Sequence, residues 1–430
     1  MSDFNPSNAL VRNAWEATEQ YLPTTGFHCH DFVSESLSAN YEQIQQRSIT
    51  NAGQRPVASP SKIGNEGQIE VDWNAEGHLH YLANLQKNYS VSNPATGVYV
   101  TKMAPSEANA APSTMMVEVW RDDDLAHVNK GCRVRSVTFN AGLRQFIQGS
   151  IDLLAARSDY WGAATQTAGT GSSLPQLRGL PNYTNWALAD HDIYFTWTDY
   201  ANKVGKFKIG AAASFGATTV TISGVDTWVE AIDSNGGARI GDRAMPVDIL
   251  FDLLAAGADS DIFKITGARG VWTPTLPDVV PANEIYALIV VDGEEFVCNQ
   301  FNLTVTRPVA PIYSIGGRYA RVIRERGQRT VDGTLNREYI STELRKKLER
   351  AQEFEFYASY QNGVAIGSTA YESEIKLTAK KCVLSGPTPT VGGQDQMDEN
   401  LNFSCHPSDD GTYPDDLTIE VTSTISDPTA

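Results

Sequence analysis

Apolar and polar side chains alternate with a period of two along much of the chain. Thr114–Trp120 (TMMVEVW) and Cys132–Phe139 (CRVRSVTF) show it, and Phe146–Leu154 (FIQGSIDLL) follows after Ala141-Gly142. Such a period puts successive side chains on opposite faces of an extended backbone, so these stretches predict antiparallel strands. The pattern returns at Phe354–Ala358, Tyr371–Thr378 and Leu417–Thr424. Between Ile285–Val291 (IYALIVV) and Glu294–Val305 stands Asp292-Gly293. A two-residue hairpin turn needs positive φ angles, which this dipeptide accepts, so a hairpin is predicted there. In its returning strand Phe301, Leu303 and Val305 share one face and Asn302 and Thr304 the other, as in a sheet covered on a single side.

Helical spacing is rarer. Ser7–Tyr21 could form an amphipathic helix capped by Ser7, with Leu10, Ala14 and Ala17 on one face. Glu76–Asn88 carries Leu79, Leu82 and Leu85 three apart, after a strand-like Gly67–Val71. Ser341–Ala351 (STELRKKLERA) sets Leu344, Leu348 and Ala351 against a basic face, as for a helix lying on a sheet. Val247–Leu254 is a short further candidate. Residues 158–282 are rich in Gly, Ala, Ser and Thr, with a strand-like Gly216–Ser223 and a turn signal at Asn235-Gly236-Gly237. They read as an inserted small β-rich module.

Gly67-Gln68-Ile69 precedes one leucine-bearing helix and Gly333-Thr334-Leu335 another. Val134–Phe139 matches Cys298–Leu303 in apolar pattern, although the order of the matched pieces differs between the two thirds. This predicts a degenerate internal duplication. The expected fold is mainly β with a few helices (α+β): two tandem β-sandwich or barrel domains, 1–160 with an N-terminal helix or arm and 283–430 with a C-terminal arm, separated by the module 161–282.

Length and composition narrow the function classes. A chain of 430 residues has room for about three domains. With 41% hydrophobic and 20% charged residues it is not wholesale disordered. The balance of 34 Lys and Arg against 51 Asp and Glu gives −17, which opposes binding to nucleic acid by counterion release and to anionic membranes. No apolar run reaches the ~18–20 residues of a membrane span, and the start lacks a basic segment followed by an apolar one. A soluble protein folded in a cytoplasm is expected. Cys29, Cys132, Cys298, Cys382 and Cys405 are odd in number, far apart and without CxxC spacing, so neither a disulfide framework nor a thiolate zinc site is predicted.

Candidate chemistry is sparse. His28-Cys29-His30 and His78-Leu79-His80 would each offer two imidazoles to a metal on a strand, but neither has a carboxylate at a telling spacing, and both read as structural. Asp122-Asp123-Asp124 lacks the spaced ligands of a calcium loop and reads as a solvated turn. There is no Gly-x-Ser-x-Gly elbow, phosphate-binding loop or GxGxxG after a strand. A pair of carboxylates for glycan cleavage could come from distant segments and is not legible in sequence. The conspicuous feature is a charge reversal: residues 316–350 hold ten Lys and Arg against five Asp and Glu, an excess of +5 in a chain of −17. Contact with the acidic surface of another copy is the leading reading. A nucleic-acid patch competes with it, and a solvated helix face accounts for the cations at 345–350.

The order of motifs in the last third is that of a known family. Phe301-Asn302-Leu303-Thr304-Val305, then Ser314-Ile315-Gly316-Gly317-Arg318, then Gly327-Gln328-Arg329-Thr330-Val331-Asp332-Gly333-Thr334-Leu335 and the helix with Leu344 and Leu348 resemble the tail tube (major tail) proteins of long-tailed bacteriophages. The first third is similar at Glu35-Ser36-Leu37, Ser48-Ile49, Gly64–Ile69, Gly131–Val137 and Gly149–Asp152. The resemblance covers roughly 30–160 and 285–425, about two thirds of the chain. Residues 161–282 lack a counterpart in it and are assigned to the outer surface.

The resemblance implies a non-enzymatic virion protein without cofactor, metal or catalytic residues, built on a duplicated β-sandwich-like tube domain. It implies stacked rings that form a hollow tail tube, trimeric and pseudo-hexameric, with true hexamers as second choice. An acidic channel would pass DNA during ejection without binding it. The implied partners are further copies, the tail tip or baseplate, the terminator, and the tape measure protein in the lumen, with no membrane insertion and assembly in the host cytoplasm. Arg318, Arg324, Arg326 and Arg329 are the candidate inter-subunit or inter-ring contacts, with Asp122, Asp123 and Asp124 as candidate partners. The rivals are a tail-tip or receptor- or glycan-binding β-module, marked by exposed Trp and Tyr, and a glycan-cleaving enzyme.

Overall fold

The computed structural model describes residues 9–16, 19, 28–45, 58–122, 125–143, 145–167, 287–315, 319–338, 350, 352–385 and 398–429, together with strands at 176–178, 192–196, 204–208, 214–215, 219–221, 228–231, 248–253 and 261–266. The chain divides into two compact units. One comprises Met1–Cys29, Met116–Lys130 and Ser158–Thr275, the other His30–Met115, Gly131–Arg157 and Leu276–Ala430. Strands dominate the described residues, which include a single α-helix, Leu79–Gln86. The fold is mainly β, as the two-residue periodicity predicted.

The second unit is organised around one antiparallel sheet. Ala58–Asp72 pairs with Ser38–Gln45 and with Gln148–Ala155. From there the ladder runs through Leu125–Gly142, Gln300–Thr306, Thr330–Glu338 and Asp398–Cys405 to Glu372–Ser385. That last strand divides the path. One side carries Glu353–Ala365 and then Ala287–Val291, and its Glu374–Thr378 portion leads to Thr418–Ser423, Val98–Met103 and Asn88–Ala95. Among the described pairings the path never returns to Ala58–Asp72, so the sheet is open. The barrel alternative is corrected to a sandwich-like arrangement. Phe301 stacks on Phe356 at 5.3 Å, and Phe356 meets Phe403 at 5.2 Å. Phe301 and Phe356 stand on strands that are not ladder neighbours, so their rings join two inner faces.

Alternation produces that core. Phe301, Leu303 and Val305 are buried while Asn302 and Thr304 are half-buried; each fully buried aromatic or branched side chain contributes about 1.5–3 kcal/mol. A register shift between Val134 and Ser136 changes the phase, so that Val137, Phe139 and Ala141 continue the buried face begun by Cys132 and Val134. The strands likened to each other in sequence are also neighbours in space: Val137 lies opposite Val305, Phe139 opposite Leu303 and Ala141 opposite Phe301. Gly333 sits under the Phe403 ring, where a Cβ would overlap it, and Gly149 under the Trp73 indole and the Thr138 carbonyl.

Helix Leu79–Gln86 lies inside its predicted span with Leu79, Leu82 and Leu85 buried, and it closes at Lys87, whose φ is 74°. The Asp292-Gly293 turn has the predicted positive φ angles, 53° and 80°. Its return strand, however, is only Glu294–Glu295, and Gln300–Thr306 pairs elsewhere, with Leu125–Gly142 and Thr330–Glu338. Two predicted helices are strands. Leu10–Trp15 is extended and buried, and Arg12 forms an ion pair with buried Glu118; so short a helix has little stability of its own, and tertiary pairing prevails. Asp248–Leu253 is hydrogen-bonded on both sides, to Asp192–Thr196 and Asp261–Thr266; a short apolar run does not distinguish the two periods. The predicted helix Ser341–Ala351 with Leu344 and Leu348, and also Asn235-Gly236-Gly237, lie outside the described residues apart from Arg350.

Candidate assembly surface

The basic segment begins as a hairpin. Val309–Tyr313 and Ala320–Glu325 form a separate two-stranded sheet. Its apolar face is anchored, because Val309, Ala320 and Ile323 pack with Leu154 and Ala156 in a buried cluster flanked by Tyr313. The Arg157 guanidinium lies over the Tyr319 ring, 5.1 Å from its centroid. Arg321, Arg324 and Arg326 are exposed, and Ile315 near the turn is fully exposed. Gly327 follows with φ 121°, a conformation that favours glycine. Gly316, Gly317 and Arg318 lie outside the described residues.

The next arginine faces inward. Arg329 donates to the Gln86 side chain and meets Asp416 at 3.4 Å. Arg307, absent from the sequence-based candidates, donates to Glu325 Oε1 at 3.0 Å and to the Asn84 carbonyl at 2.6 Å. Lys87 also pairs with Glu325. These cations gather near the last turn of helix Leu79–Gln86, where free carbonyls favour positive charge. Burial pushes the Asp416 carboxyl above its usual range against the pull of Arg329. Burial also raises Glu325, but the Lys87 hydrogen bond and the Arg307 charge outweigh it and hold that carboxyl below its usual range. Only the chain reversal shows that Arg329 and the helix end meet, so nothing in the linear sequence marked Arg307, Gln86 or Asn84. Of the candidate partners, Asp122 ends the Met115–Asp122 strand, while Asp123 and Asp124 lie outside the described residues.

A second exposed feature is apolar. Leu143 and Val297 are 67% and 74% exposed, and they help line a cavity of ≈ 180 Å³ with Ala141, Ala287 and Phe296. Leu288 and Phe146 are also exposed. Ala287–Val291 borders this rim, and among the described residues its outer side is paired from Ile289 to Val291, with Glu294–Phe296. Partly unpaired border strands are where further strands add.

The histidine pairs are divided by the fold. The His30 and His78 rings meet in a T-shaped arrangement, with centroids 5.3 Å apart. The Asn74 N–H donates to His78 Nδ1 at 3.1 Å, leaving Nε2–H to donate to the Asp31 carbonyl at 3.2 Å. The same carbonyl accepts from His30 Nδ1–H at 3.1 Å, so His30 Nε2 accepts from the Tyr81 hydroxyl at 2.7 Å. Burial lowers His30 to about 4; burial and then the His30 charge lower His78 to about 3. Both are neutral structural groups. Among the described residues no three His, Cys, Asp or Glu side chains are grouped to hold a metal, and no helix is long and apolar enough to cross a membrane.

The pattern of the phage tail tube protein family matches residues 162–405, more than half of the chain. The chain belongs to the phage tail tube family. A tail tube protein is a structural component of the virion that assembles with its own kind into the tail tube. The match runs through 162–282, so the reading of that stretch as foreign to the family pattern is corrected. It also contains the Phe301–Leu335 motifs that carried the resemblance, whereas the similar stretches of the first third lie outside it. No curated protein matches the chain.

Proposed function

We propose that this tail tube protein polymerises as stacked rings into a hollow tube whose acidic channel passes DNA during ejection. The observation that carries the reading is that the described pairings leave the sheet open, with the border strand Ala287–Val291 only partly paired on its outer side, in a chain of the tube family. Joining such borders between copies removes edges that would otherwise pair at random. The apolar rim at Leu143, Val297 and Leu288 is of the kind buried when copies meet. A net charge of −17 favours a wall that repels phosphates. The rings are trimers in which two tube-like halves per chain give pseudo-sixfold symmetry. The tube ends meet the tip or baseplate and the terminator, the tape measure protein occupies the lumen before DNA does, and assembly takes place in the host cytoplasm.

Arg324 and Arg326, exposed on and just beyond the hairpin, are assigned to contacts between subunits or rings; Arg318 belongs to the same assignment. Arg329 is a poor probe of assembly because its partners lie within its own chain. The test is Arg324→Glu with Arg326→Glu, viewed by negative-stain electron microscopy. The expected result is few or short tubes at unchanged circular dichroism and melting temperature. Normal tube yield from this variant discards the hairpin assignment, and dispersed monomers of the unaltered protein at high concentration discard the tube itself. Among the described residues the large exposed aromatics are Phe146 and Tyr371, which gives the receptor-binding alternative little platform.

A further inference from the structure

Cys382 and Cys405 are 23 residues apart in sequence, yet their Sγ atoms are 3.2 Å apart. They stand directly opposite each other where Glu372–Ser385 meets Asp398–Cys405. Beside them the His406 N–H donates to the Lys381 carbonyl at 2.8 Å. Hydrogen-bonded and non-hydrogen-bonded positions alternate along an antiparallel ladder, so the cysteines occupy a non-hydrogen-bonded position. Cα atoms there lie ~4.5 Å apart and side chains are at their closest, which falls within the ~4.4–6.8 Å window for a disulfide. Both thiols are buried.

The place in the sheet matters as much as the geometry. Among the described pairings, the part of the sheet from Ala58–Asp72 to Asp398–Cys405 joins the part containing Glu353–Ala365 and Thr418–Ser423 through this ladder alone. The ladder consists of four residue pairs, Cys382–Ser385 against Asn402–Cys405. A covalent bond within it would staple the sheet at its narrowest junction.

We propose that Cys382 and Cys405 are a latent oxidative modification site that closes to a cross-strand disulfide when the protein meets a peroxide. One thiol releases its proton, and its sulfur attacks a peroxide oxygen. The O–O bond breaks, giving a sulfenic acid and water. The second thiol then gives up its proton and attacks the sulfenic sulfur; the S–S bond forms, the S–O bond breaks, and hydroxide leaves as water. Two thiols lose two electrons, and one hydrogen peroxide becomes two waters. Burial shields both sulfurs from a peroxide in solution, so closure waits on local opening and is slow. The inference does not rest on the tube reading.

The full chain is incubated with hydrogen peroxide, its remaining thiols are alkylated, and it is digested without reductant for mass spectrometry. The expected product is one peptide pair joining Cys382 to Cys405, two hydrogens lighter than the separate peptides, and restored by a dithiol. The oxidised protein should melt several degrees higher than the reduced one, because the bond closes a loop in the unfolded chain. Cys405→Ser should lose both the linked peptide and the rise. Alkylation of both cysteines after peroxide, their conversion to sulfinic acids, or linkage to Cys29, Cys132 or Cys298 instead would overturn the proposal. Peptide mapping of the unaltered protein decides it even if the variant folds poorly.

Discussion

Gly333 shows what a single position does in this protein. The sequence marks it as part of a motif, but its reason is the Phe403 ring lying where a Cβ would stand. Gly333→Ala should therefore lower unfolding free energy by about 1–3 kcal/mol through overpacking, read as a lower denaturant midpoint at unchanged slope. His30 and His78 make the second residue-scale case. Their folded-state pKa values lie below the unfolded value near 6.5. The unfolded chain thus binds protons first as pH falls. The stability is fully present above about pH 6.5 and is lost on acidification towards the folded values; His30 alone accounts for a loss on the order of 3 kcal/mol near pH 4. Denaturant midpoints measured from pH 8 to 4 should fall below about 6.5, and His78→Asn should flatten that slope. Alternation at Phe301, Leu303 and Val305 was legible because a strand repeats every two residues. The partners of His30 were not, because Tyr81 is 51 positions away.

At the scale of elements, local pattern succeeded where the element's own physics decides and failed where pairing does. Helix Leu79–Gln86 was legible from three leucines at helical spacing, and the Asp292-Gly293 turn from its tolerance of positive φ. Ser7–Tyr21 and Val247–Leu254 carry helical spacing yet contain the strands Leu10–Trp15 and Asp248–Leu253, since a short apolar stretch fits either period until neighbouring strands claim its backbone. The basic segment divides in the same way. Exposed Arg324 and Arg326 fit the reading of a solvent-facing cationic patch, whereas Arg329 is turned against Gln86 and Asp416. Arg329→Ala should cost about 2–4 kcal/mol by leaving the Asp416 carboxylate largely buried without its cation, while Arg324→Ala should cost less than about 0.5 kcal/mol. Thermal or denaturant unfolding of the two variants side by side distinguishes them. An equal effect would mean that the ion pair adds nothing.

At the scale of the whole molecule, the proposed assembly makes charge the quantity to vary. Contacts between the exposed arginines and an acidic neighbour would be made through water, so they should weaken as the screening length falls from ~10 Å at 0.1 M salt to ~3 Å at 1 M. The assembly defect of Arg324→Glu with Arg326→Glu should accordingly be largest at low salt and shrink at high salt, as followed by sedimentation. A defect independent of salt would point to steric rather than ionic contacts at the hairpin.

Legible in the bare chain are its β character, the acidic excess, the Asp292-Gly293 turn, the leucine helix and the tube-family motifs of the last third. Each depends on residue type and short spacing, which the chain carries before it folds. Tertiary pairing alone brings strands of the first and last thirds into one sheet, leaves that sheet open among the described pairings, occupies Arg329 within its own chain and sets Cys382 against Cys405. These depend on which distant segments come together, and backbone hydrogen bonding between strands is nearly indifferent to the side chains that would announce it.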